Sequence, residues 1–257
     1  MATVADIALR LAERTNPDQT PDWDPVGLQV GDPAAIVDRI GVCHEVNDAV
    51  VSVIESEPVD LLVTYHPLLF TPTTRVLAGH SPGARSYRLI RSKVSLLVTH
   101  TDFDSAPGGT ADALAGFFDL TDVGRFGADP ESGLDNIGRY GGFQGTLGTI
   151  DAMLSDRFGP IGIRISGDRD AEVERVSVVP GSGGAFIEAA AEVSQVLVTG
   201  DVSHHRAVAA RDQGLSIVDP GHTATERPGM AALVDMVKGV SDAEVIDLTG
   251  IDPQTWS

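Results

Sequence analysis

The chain alternates short apolar runs with longer amphipathic stretches. Six runs rich in Val, Ile and Leu end at turn residues, which is typical of buried β-strands. They cover residues 39–46, 59–66, 93–100, 175–181, 194–202 and 215–221.

Helical patterns separate these runs along most of the chain. They cover residues 3–14, 47–57, 83–92, 109–119, 185–193, 203–213 and 226–239. Alternating strands and helices predict an α/β fold with mixed, mostly parallel sheets. The segments "LLVTYHP" and "VLVTGDVSHH" both end a buried strand on a histidine-bearing turn, which is compatible with two related α/β/α halves.

The middle of the chain, residues 126–175, is richer in Gly and in alternating residues. This pattern indicates some antiparallel strands and either a second domain or a large insertion. We expect a metal-binding α/β domain over residues 1–125 with 220–257, and a second α/β domain over residues 126–219.

Composition narrows the class of protein. The 257 residues are 42% apolar, enough for a sizeable core, and carry a net charge of −19. Nucleic acid is therefore an unlikely partner, because little positive charge is available to replace phosphate counterions.

Lys93 and Lys238 are the only lysines beside 16 arginines. Such an acidic surface predicts a halophilic source; arginine codons of a GC-rich genome are the alternative explanation.

The first segment, "MATVADIALRLAERTNP", carries acids where a signal peptide would be basic and apolar. No apolar run approaches the roughly 18 residues that a membrane span needs. We therefore expect a cytoplasmic protein with no membrane partner. The single cysteine, Cys43, lies in a predicted strand, where an inert core thiol is its expected role.

Histidines and acids follow three of the predicted strands. His66 ends one, His100 and Asp104 follow the next, and His222 and Glu226 follow a third. Ligands gather at the carboxyl ends of parallel strands, and imidazole with carboxylate suits Zn, Mn or Fe. His222 and Glu226 would share one face if they begin a helical turn.

Each of these residues also has an ordinary structural explanation. His66 could be a hydrogen-bonding turn residue, Asp104 a helix cap, and Glu226 a first-turn helix charge. Their joint placement after three buried strands is what favours one or two divalent ions per chain.

The same segments resemble the Nif-three-like dinuclear metal-centre family, whose members are often labelled GTP cyclohydrolase type 2 homologues. Five motifs carry the resemblance in order over nearly the whole length. They are "DWDPVGLQVGDP", "DLLVTYHPLLF", "THTDFDSAPGG", "TGDVSHH" and "DPGHTATE".

The resemblance implies α/β subunits with pseudo-twofold related halves, a homo-hexameric ring and a two-metal centre. Carried over by position, His66 and Asp104 would hold one ion and His222 the other. Glu226 would bridge both ions. Tyr65 stands where the family usually has the first of two histidines. Because a neutral phenol is a poor ligand, the second ion would be weakly held, bound through the Tyr65 phenolate, or absent.

Other polar residues of these motifs are candidates for supporting roles. His100 and His205 could orient the ligands or carry protons, and Asp201 could orient them. His205 and its neighbour His204 could equally just begin a helix. Glu45 stands where the family tends to have Asp, and whether its longer side chain reaches the site is open.

Two functions follow from these features. A metal-dependent hydrolase would act on a small substrate, and the family label suggests a purine nucleotide such as GTP. There is no Walker-type loop, and "PGSGG" at 180–184 is only a weak phosphate cradle. The alternative is a non-catalytic, metal-handling hexameric adaptor, which the tyrosine at position 65 favours slightly.

Overall fold

A computed structural model describes residues 1–15, 20–79, 82–159 and 161–251. Contacts divide the chain into two units, the first formed by residues 1–106 and the chain from Met230 onward, the second by residues 107–229. The division falls inside the helix His222–Val240. The domain bounds expected from the sequence stay a prediction that independent folding of the segments would test.

The first unit contains a five-stranded sheet. Its order is β1-β4-β3-β2-β11, with β1 antiparallel to β4 and the other pairs parallel. The strands are β1 (Gly27–Val30), β2 (Arg39–Cys43), β3 (Leu61–Thr64), β4 (Ser95–Val98) and β11 (Glu244–Asp247).

Both faces of this sheet are buried. Leu61 and Val63 of β3 pack in one apolar cluster, and Leu62 between them packs in another. A strand covered on both faces reads as a continuous apolar run, which is why the sequence pattern identified it. The helices of this unit are α1 (Val4–Thr15), α2 (Asp48–Ser56), α3 (Pro82–Arg91) and α4 (Thr101–Ser105).

The second unit contains a six-stranded sheet of order β5-β6-β8-β9-β10-β7. The pairs β8-β9 and β9-β10 are parallel and the other pairs are antiparallel. The strands are β5 (Thr121–Phe126), β6 (Gly138–Thr146), β7 (Arg164–Ser166), β8 (Glu172–Ser182), β9 (Val196–Gly200) and β10 (Ser216–Asp219).

The helices of the second unit pack around that sheet's two apolar clusters. They are α5 (Thr110–Phe117), α6 (Leu147–Phe158), α7 (Ile187–Val193) and α8 (His204–Asp212), with a short 3-10 helix at Gly184–Phe186. The last helix, α9 (His222–Val240), begins four residues before the predicted start at residue 226.

The predicted mixed α/β class is confirmed by these two sheets. Parallel pairing dominates the first sheet, whereas antiparallel strands enter the second through β5, β6 and β7. Within the described part of the chain, no helix has the length and hydropathy of a membrane span.

Candidate metal-binding side chains

In the first unit, the ends of β2, β3 and β4 meet at one sheet edge. Backbone pairing continues past the strands: Tyr65 N–H donates to the Cys43 carbonyl at 3.1 Å and His66 N–H to the His44 carbonyl at 2.9 Å. Parallel strands in register therefore carry residues 44, 65 and 66 to the same place. The sequence had predicted this convergence for His66 but not for His44.

Aromatic and imidazole rings pack together at this edge. The ring centroids of His44 and His66 are 4.9 Å apart, those of Tyr65 and His66 4.7 Å, and those of His66 and His100 5.5 Å. His44 and His66 each present a ring nitrogen, and the two nitrogens lie within 4.8 Å. The His44 side chain is buried and His66 is half-buried.

Asp104 lies in α4, whose first turn carries it back toward β3. The Tyr65 hydroxyl donates a hydrogen bond to Asp104 Oδ1 at 2.7 Å, and both side chains are buried. In this position Tyr65 acts as a hydrogen-bond donor that fixes the carboxylate.

Asp24, in the segment "DWDPVGLQVGDP", contacts the residues at the start of α4. Its carboxylate contacts His100 Nδ1 at 2.8 Å and accepts bonds from the backbone and hydroxyl of Thr101. Burial raises the pKa of Asp24, but these bonds and the charge of His100 hold it below its usual value. Sequence reasoning missed Asp24, although its place in the "DWDPVG" motif was a signal.

Asp102 is the other buried acid of α4. Its carboxylate accepts the His100 backbone N–H at 2.6 Å. Burial raises the pKa of Asp102, although this bond and one from the Thr15 side chain act in the opposite direction. It braces the backbone at His100.

In the second unit, the first turn of α9 places His222 beside Glu226. His222 Nε2 lies 2.8 Å from Glu226 Oε1, and its Nδ1 lies 2.7 Å from Asp201 Oδ2. Burial lowers the pKa of His222, but the two carboxylates outweigh it and raise the pKa to about 9. The predicted sharing of one helical face by His222 and Glu226 is confirmed.

Two glycines make room for this pair. A Cβ on Gly181, whose φ is +63°, would lie 2.9 Å from Glu226 Oε1, and one on Gly200 would lie 2.6 Å from the His222 backbone. Gly181 N–H also donates to Thr225 Oγ1 at 2.8 Å. The ends of β8 and β9 can therefore press against the start of α9.

The remaining candidates lie elsewhere in these units. His205 is exposed on the first turn of α8, with its ring centroid 5.5 Å from that of His204. Glu45 is half-buried next to His44.

The donor types fit a divalent transition metal. In the first unit, the ring nitrogens of His44 and His66 lie within 4.8 Å of each other, close enough to bind one ion. Nitrogen and carboxylate oxygen without thiolate suit Zn, Mn or Fe. Asp201 on His222 supplies the outer carboxylate that metal-bound histidines normally carry.

Sequence and structure comparisons agree on one family. The profile of the Duf34/NIF3 (NGG1p interacting factor 3) family matches residues 2–252. A protein of Streptomyces coelicolor named GTP cyclohydrolase 1 type 2 homolog is 33% identical over 239 residues, which cover 90% of this chain and 84% of that protein.

Solved structures show the same fold. A hypothetical protein of Staphylococcus aureus superposes with a TM-score of 0.89 at 20% identity, over 99% of both chains. Reduced HcgD from Methanocaldococcus jannaschii gives a TM-score of 0.81 at 26% identity, over 96% of this chain and 98% of that one.

Proposed function

The chain belongs to the Duf34/NIF3 family, and from that premise we propose that it binds divalent metal ions and uses them to hydrolyse a small, nucleotide-like substrate. The proposed ligands are His66, Asp104, His222 and Glu226, with Tyr65 as a fifth candidate. The proposed ions are Zn, Mn or Fe, one or two per chain.

The observation that carries the proposal is the His222–Glu226 pair. A nitrogen and an oxygen ligand lie 2.8 Å apart on one helical turn, and Asp201 fixes the imidazole from behind. Two glycines at which any side chain would collide with the pair keep the space around it small.

We assign metal binding and proton transfer to different residues of this chain. Bound divalent ions supply a water of low pKa and stabilise developing negative charge. Asp24 contacts His100 Nδ1 and fixes the orientation of the imidazole ring. Because its pKa is lowered, Asp24 stays ionised and stabilises the imidazolium form. We propose His100 as the proton carrier, with the exposed His205 as the other candidate.

The relatives named GTP cyclohydrolase 1 type 2 homolog support a nucleotide as the substrate class. With a net charge of −19, an incoming triphosphate would be drawn by the metal ions or by a local group of arginines. Arg85 and Arg88 are poorly suited to such a group, because both pair with Asp48.

A metal-handling adaptor without turnover is the second candidate. Tyr65 favours it, because a phenol that donates to Asp104 is not a second imidazole. For either function we propose a cytoplasmic homo-hexamer, as the family resemblance implies, from a halophilic source.

Metal content per chain tests the proposal. We expect the purified protein to hold one or two ions per chain by elemental analysis. Glu226→Gln removes a charged ligand at nearly constant shape and should lower that content. Glu188→Ala, on an exposed face of α7, is the matched control and should leave it unchanged.

The number of ions directs the next step. Close to two ions, with hydrolysis of nucleoside triphosphates or phosphoesters, would support the dinuclear hydrolase. About one ion and no turnover would support metal handling. No metal after reconstitution would overturn both functions.

A further inference from the structure

We propose that His44 supplies the imidazole ligand that Tyr65 cannot, so that the metal-binding histidine pair is formed by two neighbouring strands. The inference rests on the proposed metal-binding function. It concerns a residue that follows β2, whereas the family pattern places both histidines after β3.

Strand register brings His44 to the right place. Cys43 pairs with Thr64 in the parallel β2-β3 ladder, so the next residues in line are His44 and Tyr65. Their rings lie beside each other, with centroids 5.5 Å apart. Residues paired in a parallel ladder project to the same side of the sheet. An imidazole at either position can therefore occupy the same neighbourhood.

The distance between His44 and His66 suits a shared ion. Their ring nitrogens lie within 4.8 Å. Two ligands at about 2.0–2.1 Å from one ion are separated by roughly 3–4 Å, so a small side-chain rotation suffices. The ring centroids are 4.9 Å apart and the ring planes are inclined by 34°, so the two imidazoles are direct neighbours.

Tyr65 has a different task in the same group. Its hydroxyl donates to Asp104 Oδ1 at 2.7 Å, which fixes the proposed carboxylate ligand. In this division of roles, His44 and His66 provide the nitrogen ligands, and Tyr65 orients the carboxylate of Asp104. The tyrosine at 65 departs from the family pattern, and the histidine at 44 compensates for it.

Burial supports this division of roles. His44 is 2% exposed and Tyr65 1% exposed. Both rings are therefore enclosed at the ends of β2 and β3, where His66 also lies. The neighbouring Cys43, in contrast, faces the apolar cluster around Leu62.

A rescue experiment on the full-length chain tests the inference. The protein is stripped with a chelator, and Co(II) or Zn(II) affinity is measured by chelator competition together with the Co(II) absorption spectrum. We expect His44→Gln to weaken binding by about 10- to 100-fold or more. Adding Tyr65→His to that variant should restore affinity to near the wild-type value. His204→Gln, at an exposed histidine, should change nothing.

The failure of this inference is distinct from failure of the proposed function. If His66→Gln loses the ion while His44→Gln keeps wild-type affinity, His44 is not a ligand and metal binding stands. If wild type binds no ion, or His66→Gln and Glu226→Gln both bind as wild type does, the proposed function itself falls.

A measurement without substitutions guards against a variant that does not fold. Zn(II) added to the 15N-labelled wild-type protein should shift the ring nitrogens of three histidines: His44, His66 and His222. A His44 ring that does not respond would overturn the inference.

Discussion

At the scale of single residues, exchange of an imidazole for a phenol changes what position 65 can do. Tyr65 donates to Asp104 where a histidine would offer a lone pair. The Tyr65 hydroxyl fixes the orientation of the buried carboxylate, and the imidazole of His44 lies beside the Tyr65 ring. One substitution therefore redistributes roles over three neighbours.

Cys43 gives a prediction at the same scale. The thiol is fully buried, and burial raises its pKa to about 12, helped by Glu45 and opposed by a hydrogen bond from Thr64. Because the folded pKa lies above the unfolded value, stability is unaffected below about pH 9 and falls as pH rises toward 12.

Between pH 8 and pH 10, the wild type should lose about 1 kcal/mol more unfolding free energy than Cys43→Val. Urea unfolding at both pH values measures this difference, because the valine variant lacks the titrating group. Equal pH dependence in the two proteins would show that the thiol titrates alike in the folded and unfolded chains.

At the scale of elements, the end of β9 packs closely against the start of α9, where His222 and Glu226 lie. A Cβ on Gly200 would lie 2.6 Å from the backbone of His222. Backbone atoms cannot rotate away as a flexible side chain can. The helix start would therefore have to shift, and with it His222 and Glu226.

Gly200→Ala should destabilise the protein by about 1–3 kcal/mol and weaken metal binding. Gly239→Ala is the matched control on α9, where an added Cβ meets no atom within 4 Å. It should be neutral or slightly stabilising, because alanine favours the helix. Thermal unfolding and metal affinity measure both effects; a Gly200→Ala protein that matches the control would disprove the tight packing.

At the scale of the whole molecule, charge is the dominant property. Thirty-seven acidic residues stand against eighteen basic ones, so folding brings like charges together. Salt shortens the Debye length from about 10 Å at 0.1 M to about 3 Å at 1 M and so relieves that repulsion. A halophilic origin would make this relief part of normal stability.

We therefore expect the melting temperature to rise steadily as KCl is raised from about 0.1 M past 1 M. Calorimetry measures it, with sucrose at equal osmolality as the control for general solvent effects. A melting temperature that does not depend on the KCl concentration would favour the alternative, an acidic protein whose arginine content reflects codon usage.

The sequence alone predicted β2, β3, β4, β8, β9, β10 and most of the helices, together with the places where polar chemistry follows a strand; it did not predict β1, β5, β6, β7, β11 or α6. Apolar runs such as residues 59–66 are covered on both faces, and this burial leaves a readable pattern. Local order likewise fixed the His222–Glu226 turn, because a four-residue spacing on a helix needs no distant contact. The ordered motifs identified the family, which the profile over residues 2–252 confirms.

Only the tertiary structure decided which side chains meet. Asp24 and His100 are 76 residues apart in the chain, and Tyr65 and Asp104 are 39 apart. Strand register sets these contacts, and it also places His44 beside Tyr65. Strand register depends on pairing between segments that are distant in the chain, so a local sequence pattern does not determine the register.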